Sequence, residues 1–170
     1  MADVIIRDAR PDELAAIAEL TRLAYREYAT IMTPAAWAGL SSAIESALIS
    51  NEPVQRIVAE ENGRIVGSAM LYPPAAKAYG DDVHGVSWPE LRLVSTAPHA
   101  RRRGIARRLV EECVRRARAA GAAEIGLHTS HSMQAAMRMY RAMGFERAPE
   151  HDFQPPGAEL VEAYRLDLRA

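Results

Sequence analysis

Apolar residues recur along this chain with two spacings, and the spacing changes at turn-forming residues. Val4 to Arg7 is a short β-type run, and Asp8-Ala9-Arg10-Pro11-Asp12 reads as a turn into a helix. Leu14, Ile17, Ala18, Thr21, Ala24, Tyr25 and Tyr28 then follow at helical spacing. A second helical stretch runs from about Pro34 to Leu48, with the proline in the first turn, where its missing N–H would be unbonded anyway. Asn51-Glu52-Pro53 breaks it. Gln55 to Glu60 and Arg64 to Leu71 are β-type runs joined by Glu61-Asn62-Gly63, and an Asn-Gly pair between such runs predicts a hairpin. Residues 72–85, rich in Pro, Gly and Asp, read as a loop.

The second half continues the alternation. Glu90 to Thr96 is a strand that Pro98 ends. Ile105, Leu109, Val110, Cys113, Val114 and Ala117 form a helical stripe capped by Gly121. Glu124 to Thr129 is a strand. Met133, Ala136, Met137 and Tyr140 mark a short helix stopped by Gly144, and Phe145 to Ala148 and Leu160 to Leu168 are the last strands. Helices alternating with strands predict an α/β layered fold, a central mixed β-sheet flanked by α-helices. With no internal repeat and no long linker, residues 1–170 read as one domain.

Composition narrows the function classes. With 21 basic and 22 acidic residues the formal net charge is -1, so bulk charge gives no pull toward nucleic acid or an anionic membrane. One cysteine, Cys113, excludes an internal disulfide and a thiolate metal cluster, and no metal site is expected. The N-terminus has no apolar signal core, and no apolar run approaches the ~18 residues of a membrane span. A soluble cytoplasmic protein is the expectation.

The most informative stretch runs from Val94 to Leu109, where a strand ends, a short loop follows and a long amphipathic helix begins. The loop carries Arg101-x-x-Gly104-x-Ala106. A helix N-terminus presents free N–H groups and partial positive charge, a ready site for phosphate. Gly104 and Ala106 keep the loop bare, and Arg101, Arg102, Arg103 and Arg107 add positive potential. Cations at a helix start oppose the macrodipole, and an anionic ligand would resolve that conflict. No Gly-Lys-Ser or Gly-Lys-Thr ends a P-loop here, and the dinucleotide fingerprint's glycines are missing.

Here the chain resembles the GNAT superfamily of acyl-CoA-dependent N-acetyltransferases. That family's signature is Gln or Arg, two residues, Gly, one residue, then Gly or Ala, following a strand and a Pro-containing turn. Arg101-Arg102-Arg103-Gly104-Ile105-Ala106 matches it, and Ala136-Met-Arg-Met-Tyr140-Arg-Ala-Met-Gly144-Phe145 is similar to a second family segment. The order of elements agrees over essentially the whole chain. The resemblance implies a GNAT fold, acetyl-CoA as co-substrate and a small-molecule or peptide amine as acceptor. It implies cofactor contacts from Val94, Ser95 and Thr96 through main-chain groups, and from the 101–107 loop, including Ile105 and Arg107. Met133 stands where the family often has an Asn against the cofactor's arm. It also implies a homodimer through the strand Leu160 to Leu168.

Acyl transfer from a thioester to an amine needs few parts. A lysine-type amine with pKa ~10.4 is neutral only about once in a few thousand molecules at pH 7, so a base helps. By resemblance Tyr140 is the candidate acid for the leaving thiolate, and its plain alternative is a core tyrosine. Glu90 is the candidate base, its alternative an ion pair with Arg92, and His128 is a weaker substitute. Cys113, on the apolar stripe, reads as core. Two rival readings are a non-catalytic acyl-CoA-binding module, and a nucleic-acid binder using the arginine cluster, which the charge balance and lack of interleaved aromatics disfavour. The acceptor mouth is expected around Tyr25, Tyr28, Tyr79, Asp81, Asp82, Trp88, Glu150 and Asp152.

Overall fold

The computed structural model describes residues 3–74 and 86–169. Strand β1 (Val4–Asp8) leads through a single 3-10 turn into helix α1 (Leu14–Tyr25). A four-residue α2 (Tyr28–Ile31) and the long α3 (Pro34–Ile49) follow, and Thr33 caps α3 by accepting the N–H of Ala36 at 3.2 Å. The first helix is thus shorter than its apolar spacing suggests. The chain turns at Arg26 and Glu27, and Tyr28 belongs to the next element.

Strands β2 (Gln55–Glu61) and β3 (Arg64–Tyr72) form the expected hairpin. Asn62 at φ 51° and Gly63 at φ 76° are both left-handed, as a two-residue turn of matching twist requires. Then come β4 (Glu90–Thr96), α4 (Ile105–Ala119), β5 (Glu124–Ser130), α5 (Gln134–Ala142), β6 (Glu146–Arg147) and β7 (Val161–Asp167). The sheet runs β1-β2-β3-β4-β5-β7-β6, and β4–β5 is its one parallel pair. This is the mixed sheet flanked by helices that the pattern predicts.

Neighbouring strand residues face opposite sides of a sheet. Met70 and Tyr72 pack with Ile44 and Ala47 of α3, whereas Ala69 and Leu71, which alternate with them, share a cluster with Ile105, Leu109 and Cys113 of α4. Helices α3 and α4 therefore cover opposite faces. Helix α4 lies close over β3, since a Cβ on Gly67 would stand 2.8 Å from Ile105 Cγ2. No helix among the described residues is long and apolar enough to cross a membrane.

Strand β7 is not the bare edge on which the homodimer expectation leaned. It pairs with β5 along its whole length, and its other side is met by β6 at Tyr164 and Arg165 and by Phe153 at Val161. Ala163 O also accepts the N–H of Ala148, and beyond β6 Leu166 and Asp167 have no ladder partner on that side among the described residues.

Candidate active site

The loop before α4 is built around a tight approach of backbone to backbone. Ala97 donates to Val66 O at 2.9 Å, a 3-10 turn follows over Pro98–Ala100, and Ala100 is fully buried. Two residues then take left-handed backbone, Arg102 at φ 60° and Gly104 at φ 75°. Arg108 donates to Gly104 O, so the amides of residues 104–107 are the helix's open donors. A Cβ built on Gly104 meets no protein atom within 4 Å, so the loop is open around that position. Ile105 itself is turned into the core, which leaves only its main chain for a ligand.

The loop's arginines are engaged within the chain. Arg101 reaches Glu27 at 2.8 Å and the carbonyl of Ala24 at 2.9 Å, which ties the loop to the end of α1. Arg103 pairs with Glu61, and Arg107 with Glu111 at 2.8 Å. Arg102 makes no ion pair among the described residues. Half-exposed pairs of this kind are worth ~0–1 kcal/mol each, so a phosphate can compete for the guanidinium groups at little cost.

Strand β4 leaves its neighbour early. It pairs with β5 only at Glu90↔Gly126 and Leu91↔Leu127, and its ladder to β3 slips between Ser68 and Met70. Leu93, at φ 50°, carries the kink. In a regular strand Arg92 and Leu93 would face opposite ways, yet both line one cleft of about 630 Å³. Its walls include Tyr25, Ile44, Tyr72, Met133 and Phe153, and its far side is formed by Thr129, Ser130 and residues up to Val161. Beyond the kink, Val94 and Thr96 are half-buried and Ser95 is buried, and Thr96 Oγ1 is buried with no hydrogen-bond partner among the described residues. Met133 precedes α5, donates its N–H to Ser130 O at 2.9 Å, and receives the hydroxyl of Thr129 at its sulfur.

Tyr140 is 6% exposed and packs edge-on against Phe145, with ring centroids 5.7 Å apart. Burial pushes its phenol well above the ordinary tyrosine range, and the nearby Tyr25 and Cys113 add to the rise. Burial does the same to Tyr25, and it pushes the Cys113 thiol up to about 12, as suits an inert core cysteine.

Glu90 lies 4% exposed at the start of β4, and its partner is not Arg92. Oε2 accepts the indole N–H of Trp88 at 2.7 Å, and Oε1 lies 2.6 Å from His128 Nδ1. The other ring nitrogen of His128 lies 3.0 Å from the carbonyl of His151. Carbonyls and carboxylates only accept, so either both ring nitrogens carry hydrogen or Glu90 does. His128 lines the cleft, but its ring is fully enclosed, so what it shows there is main chain. Gly126 makes the cluster fit, because a Cβ on it would stand 2.0 Å from Trp88 Nε1. Arg92 sends one N–H to the carbonyl of Ala43 on α3 at 3.4 Å.

The expected acceptor mouth is brought together in part. Tyr25 lines the cleft, Tyr28 stacks beside it at 5.8 Å, and Trp88 is buried under the Glu90 cluster. Asp152 is bound to Arg147 and Glu150 to Arg165. Tyr79, Asp81 and Asp82 lie outside the described residues. Sequence reasoning missed Arg92 and Ser130 as lining residues. Ser130 Oγ is buried with no partner among the described residues. No local signal marks either one, because the kink at Leu93 and the end of β5 place them. No group of His, Cys, Asp or Glu among the described residues is arranged to hold a metal ion.

The profile of the acetyltransferase (GNAT) family matches residues 14–145. The N-acetyltransferase YhfO of Bacillus subtilis (strain 168), itself uncharacterized, is 28% identical over 144 residues, 83% of this chain and 89% of that protein. Among solved structures, the PaiA N-acetyltransferase of Thermoplasma acidophilum in complex with coenzyme A superposes with a TM-score of 0.71 at 16% identity, covering 96% of this chain and 99% of that one. The ribosomal-protein-S18-alanine N-acetyltransferase of Escherichia coli gives 0.68 at 18% identity, covering 99% and 96%. At such identities these structures attest the fold.

Proposed function

The chain belongs to the acetyltransferase (GNAT) family, and from that premise we propose that it transfers the acetyl group of acetyl-CoA to a primary amine by direct attack on the thioester. One observation carries this reading: the open N-terminus of α4, reached through two left-handed residues, stands beside the point where β4 leaves β5. The residues present suit acetyl-CoA. The amides of residues 104–107 and the loop arginines would hold its phosphates, and the main chain of Val94 to Thr96, with the orphaned Thr96 hydroxyl, would meet its arm. Acetyl-CoA brings the activated acyl group when bound, so the chain need form no covalent intermediate.

Tyr140 serves the leaving group. A free thiol has a pKa near ~8.5, far below the buried phenol, so Tyr140 does not readily surrender its proton to the thiolate. It acts as a hydrogen-bond donor that is protonated across the physiological range. Glu90 has both oxygens occupied and its His128 partner is enclosed, which favours a positioning role over contact with the amine. Through these bonds it fixes the floor of the cleft at β5. The amine's proton then leaves to water in the cleft.

The test is calorimetry with acetyl-CoA, followed by a thiol-release screen over amino acids, polyamines, aminoglycosides and peptides. Gly104→Ala should weaken acetyl-CoA binding by about tenfold, since a left-handed alanine costs ~1–2 kcal/mol and the loop would relax away from the backbone that presents its amides. A folded variant with unchanged affinity would remove the loop from the site. Binding without turnover of any amine would mark the chain as an acyl-CoA-binding module instead.

A further inference from the structure

Two buried hydroxyls have no hydrogen-bond partner among the described residues, Thr96 Oγ1 on β4 and Ser130 Oγ on β5, and these are the two strands that part. Thr96 belongs to the donor side described above. Ser130 is 7% exposed, so it is more than nine-tenths buried, and it lines the cleft. Its main chain is engaged, for it pairs with Val161 on β7 and its carbonyl accepts the N–H of Met133 at 2.9 Å. The hydroxyls beside it are engaged too, Thr129 on the sulfur of Met133 at 3.5 Å and Ser132 on Glu159. A buried hydroxyl left unbonded is a cost to the fold, and one kept in the wall of a cleft is explained by a ligand that bonds to it.

Alternation along β5 fixes which side of the sheet Ser130 serves. Ile125 and Leu127 share a cluster with Ile105 and Leu109 of α4, whereas Gly126 lies against Trp88. Ser130 has the parity of Gly126, so it faces away from α4, the helix whose N-terminus is read as holding the phosphates. The pairing of β4 with β5 ends at Leu91↔Leu127. Carried three residues further it would have set Val94 beside Ser130, so the main chain assigned to the donor's arm runs across the gap from this serine. A nitrogen that enters from the cleft meets Ser130 on one strand and the arm that carries the thioester on the other.

We propose that Ser130 receives the acceptor: its hydroxyl oxygen accepts one N–H of the neutral amine and so turns the nitrogen lone pair toward the thioester carbon. This deepens the acyl-transfer reading and rests on it. The C–N bond forms as the C–S bond breaks, the electron pair leaves on the sulfur of coenzyme A, and the amine's proton passes to water in the cleft. A hydroxyl carries no charge, so the contact asks for none elsewhere on the acceptor. That agrees with a cleft whose wall holds both signs, Arg92 on one hand and Glu52 and Glu159 on the other.

The test uses the full chain with acetyl-CoA as donor and L-leucine, spermidine, kanamycin and an alanine-led tripeptide as amines, and carries the fastest of these to Ser130→Ala and Ser130→Thr. Ser130→Ala should lower kcat/KM for the amine by about three- to tenfold, the factor that a neutral hydrogen bond of ~0.5–1.5 kcal/mol gives, while the calorimetric affinity for acetyl-CoA stays that of the wild type. Its melting temperature should be unchanged or higher, because alanine removes a buried group that no described residue satisfies. Ser130→Thr keeps the hydroxyl and should keep most of the activity. An alanine variant with wild-type kcat/KM would overturn the proposal. A loss of acetyl-CoA affinity by the same factor would overturn it too, and would give the hydroxyl to the donor. So would a fall in melting temperature alongside the loss of activity, since a packing serine does that, or a threonine variant as slow as the alanine one. Failure of the underlying reading looks different: acetyl-CoA would bind to the wild type and none of the amines would drive release of its thiol, which would overturn both.

Discussion

Replacing Tyr140 with phenylalanine removes one oxygen and leaves the ring. The ring is what the fold uses, for it packs on Phe145, and no hydrogen bond to the hydroxyl is present among the described residues. Thermal stability should therefore change by no more than ~0.5 kcal/mol. Catalysis should change more. A hydrogen bond to a charged group is worth ~1.5–3 kcal/mol, and each ~1.4 kcal/mol is tenfold in rate, so kcat should fall by about ten- to a hundredfold. The charge on sulfur exists only as the thiolate departs, so the loss belongs to kcat and not to acetyl-CoA affinity. Thiol release followed against amine concentration gives kcat, and calorimetry gives the affinity. Thioester donors with more acidic thiols need less help, so they should lose less in the variant. A folded Tyr140→Phe enzyme with wild-type kcat would leave Tyr140 a packing residue. An equal loss with every leaving group would refute the thiolate contact while keeping some other role.

Two further outcomes concern the frame around the site. Gly126→Ala would drive a methyl into the Trp88 indole, 2.0 Å from its nitrogen, and should destabilise by ~1–3 kcal/mol or more, with a shift in tryptophan fluorescence; an unchanged melting temperature would mean that Trp88 does not sit over Gly126. Glu13 accepts from the Arg7 guanidinium and from the Arg10 N–H, and these hold its carboxyl down to about 2. Because the folded value lies below the unfolded one, its contribution is whole above about pH 4.5 and is lost as pH falls toward 2. Glu13→Gln should flatten the acid side of a urea-midpoint profile between pH 6 and 2, and parallel profiles would show that Glu13 is not the group responsible.

What the sequence makes legible here is what is decided locally. Asn62-Gly63 names its own turn, and the strand, Pro98, Gly104 and the stripe of α4 describe the strand–loop–helix passage around residues 97–104. The interruption of the first helix at Arg26 is invisible to periodicity, because Tyr25 and Tyr28 keep helical spacing across a break that the Arg101 contact to Ala24 O helps to hold. The partners of Glu90 were unreadable for a similar reason. His128 is 38 residues away, and only the parallel register Glu90↔Gly126 brings it alongside. Arg92 reads as one more strand residue until Leu93, with no glycine to announce it, takes a left-handed backbone. The resemblance singled out the strand before α4, but the side chains that line the cleft come from elements whose meeting is a property of the whole sheet.

The two-rung pairing of β4 with β5 divides the sheet into an antiparallel sheet of four strands and one of three, stitched by two residue pairs and by the helices laid across them. Such a seam is thin for the middle of a sheet, where the β3–β4 and β5–β7 ladders on either side carry five and seven pairs. A molecule lodged in the gap would touch both halves and act as a rivet. A ligand that bound both halves together and neither half apart would raise the free energy of separating them by mass action, by about 2.7 kcal/mol at a hundredfold excess over its dissociation constant. A ligand held at the place where the sheet gives up hydrogen bonds would then lend the protein cohesion at that same place.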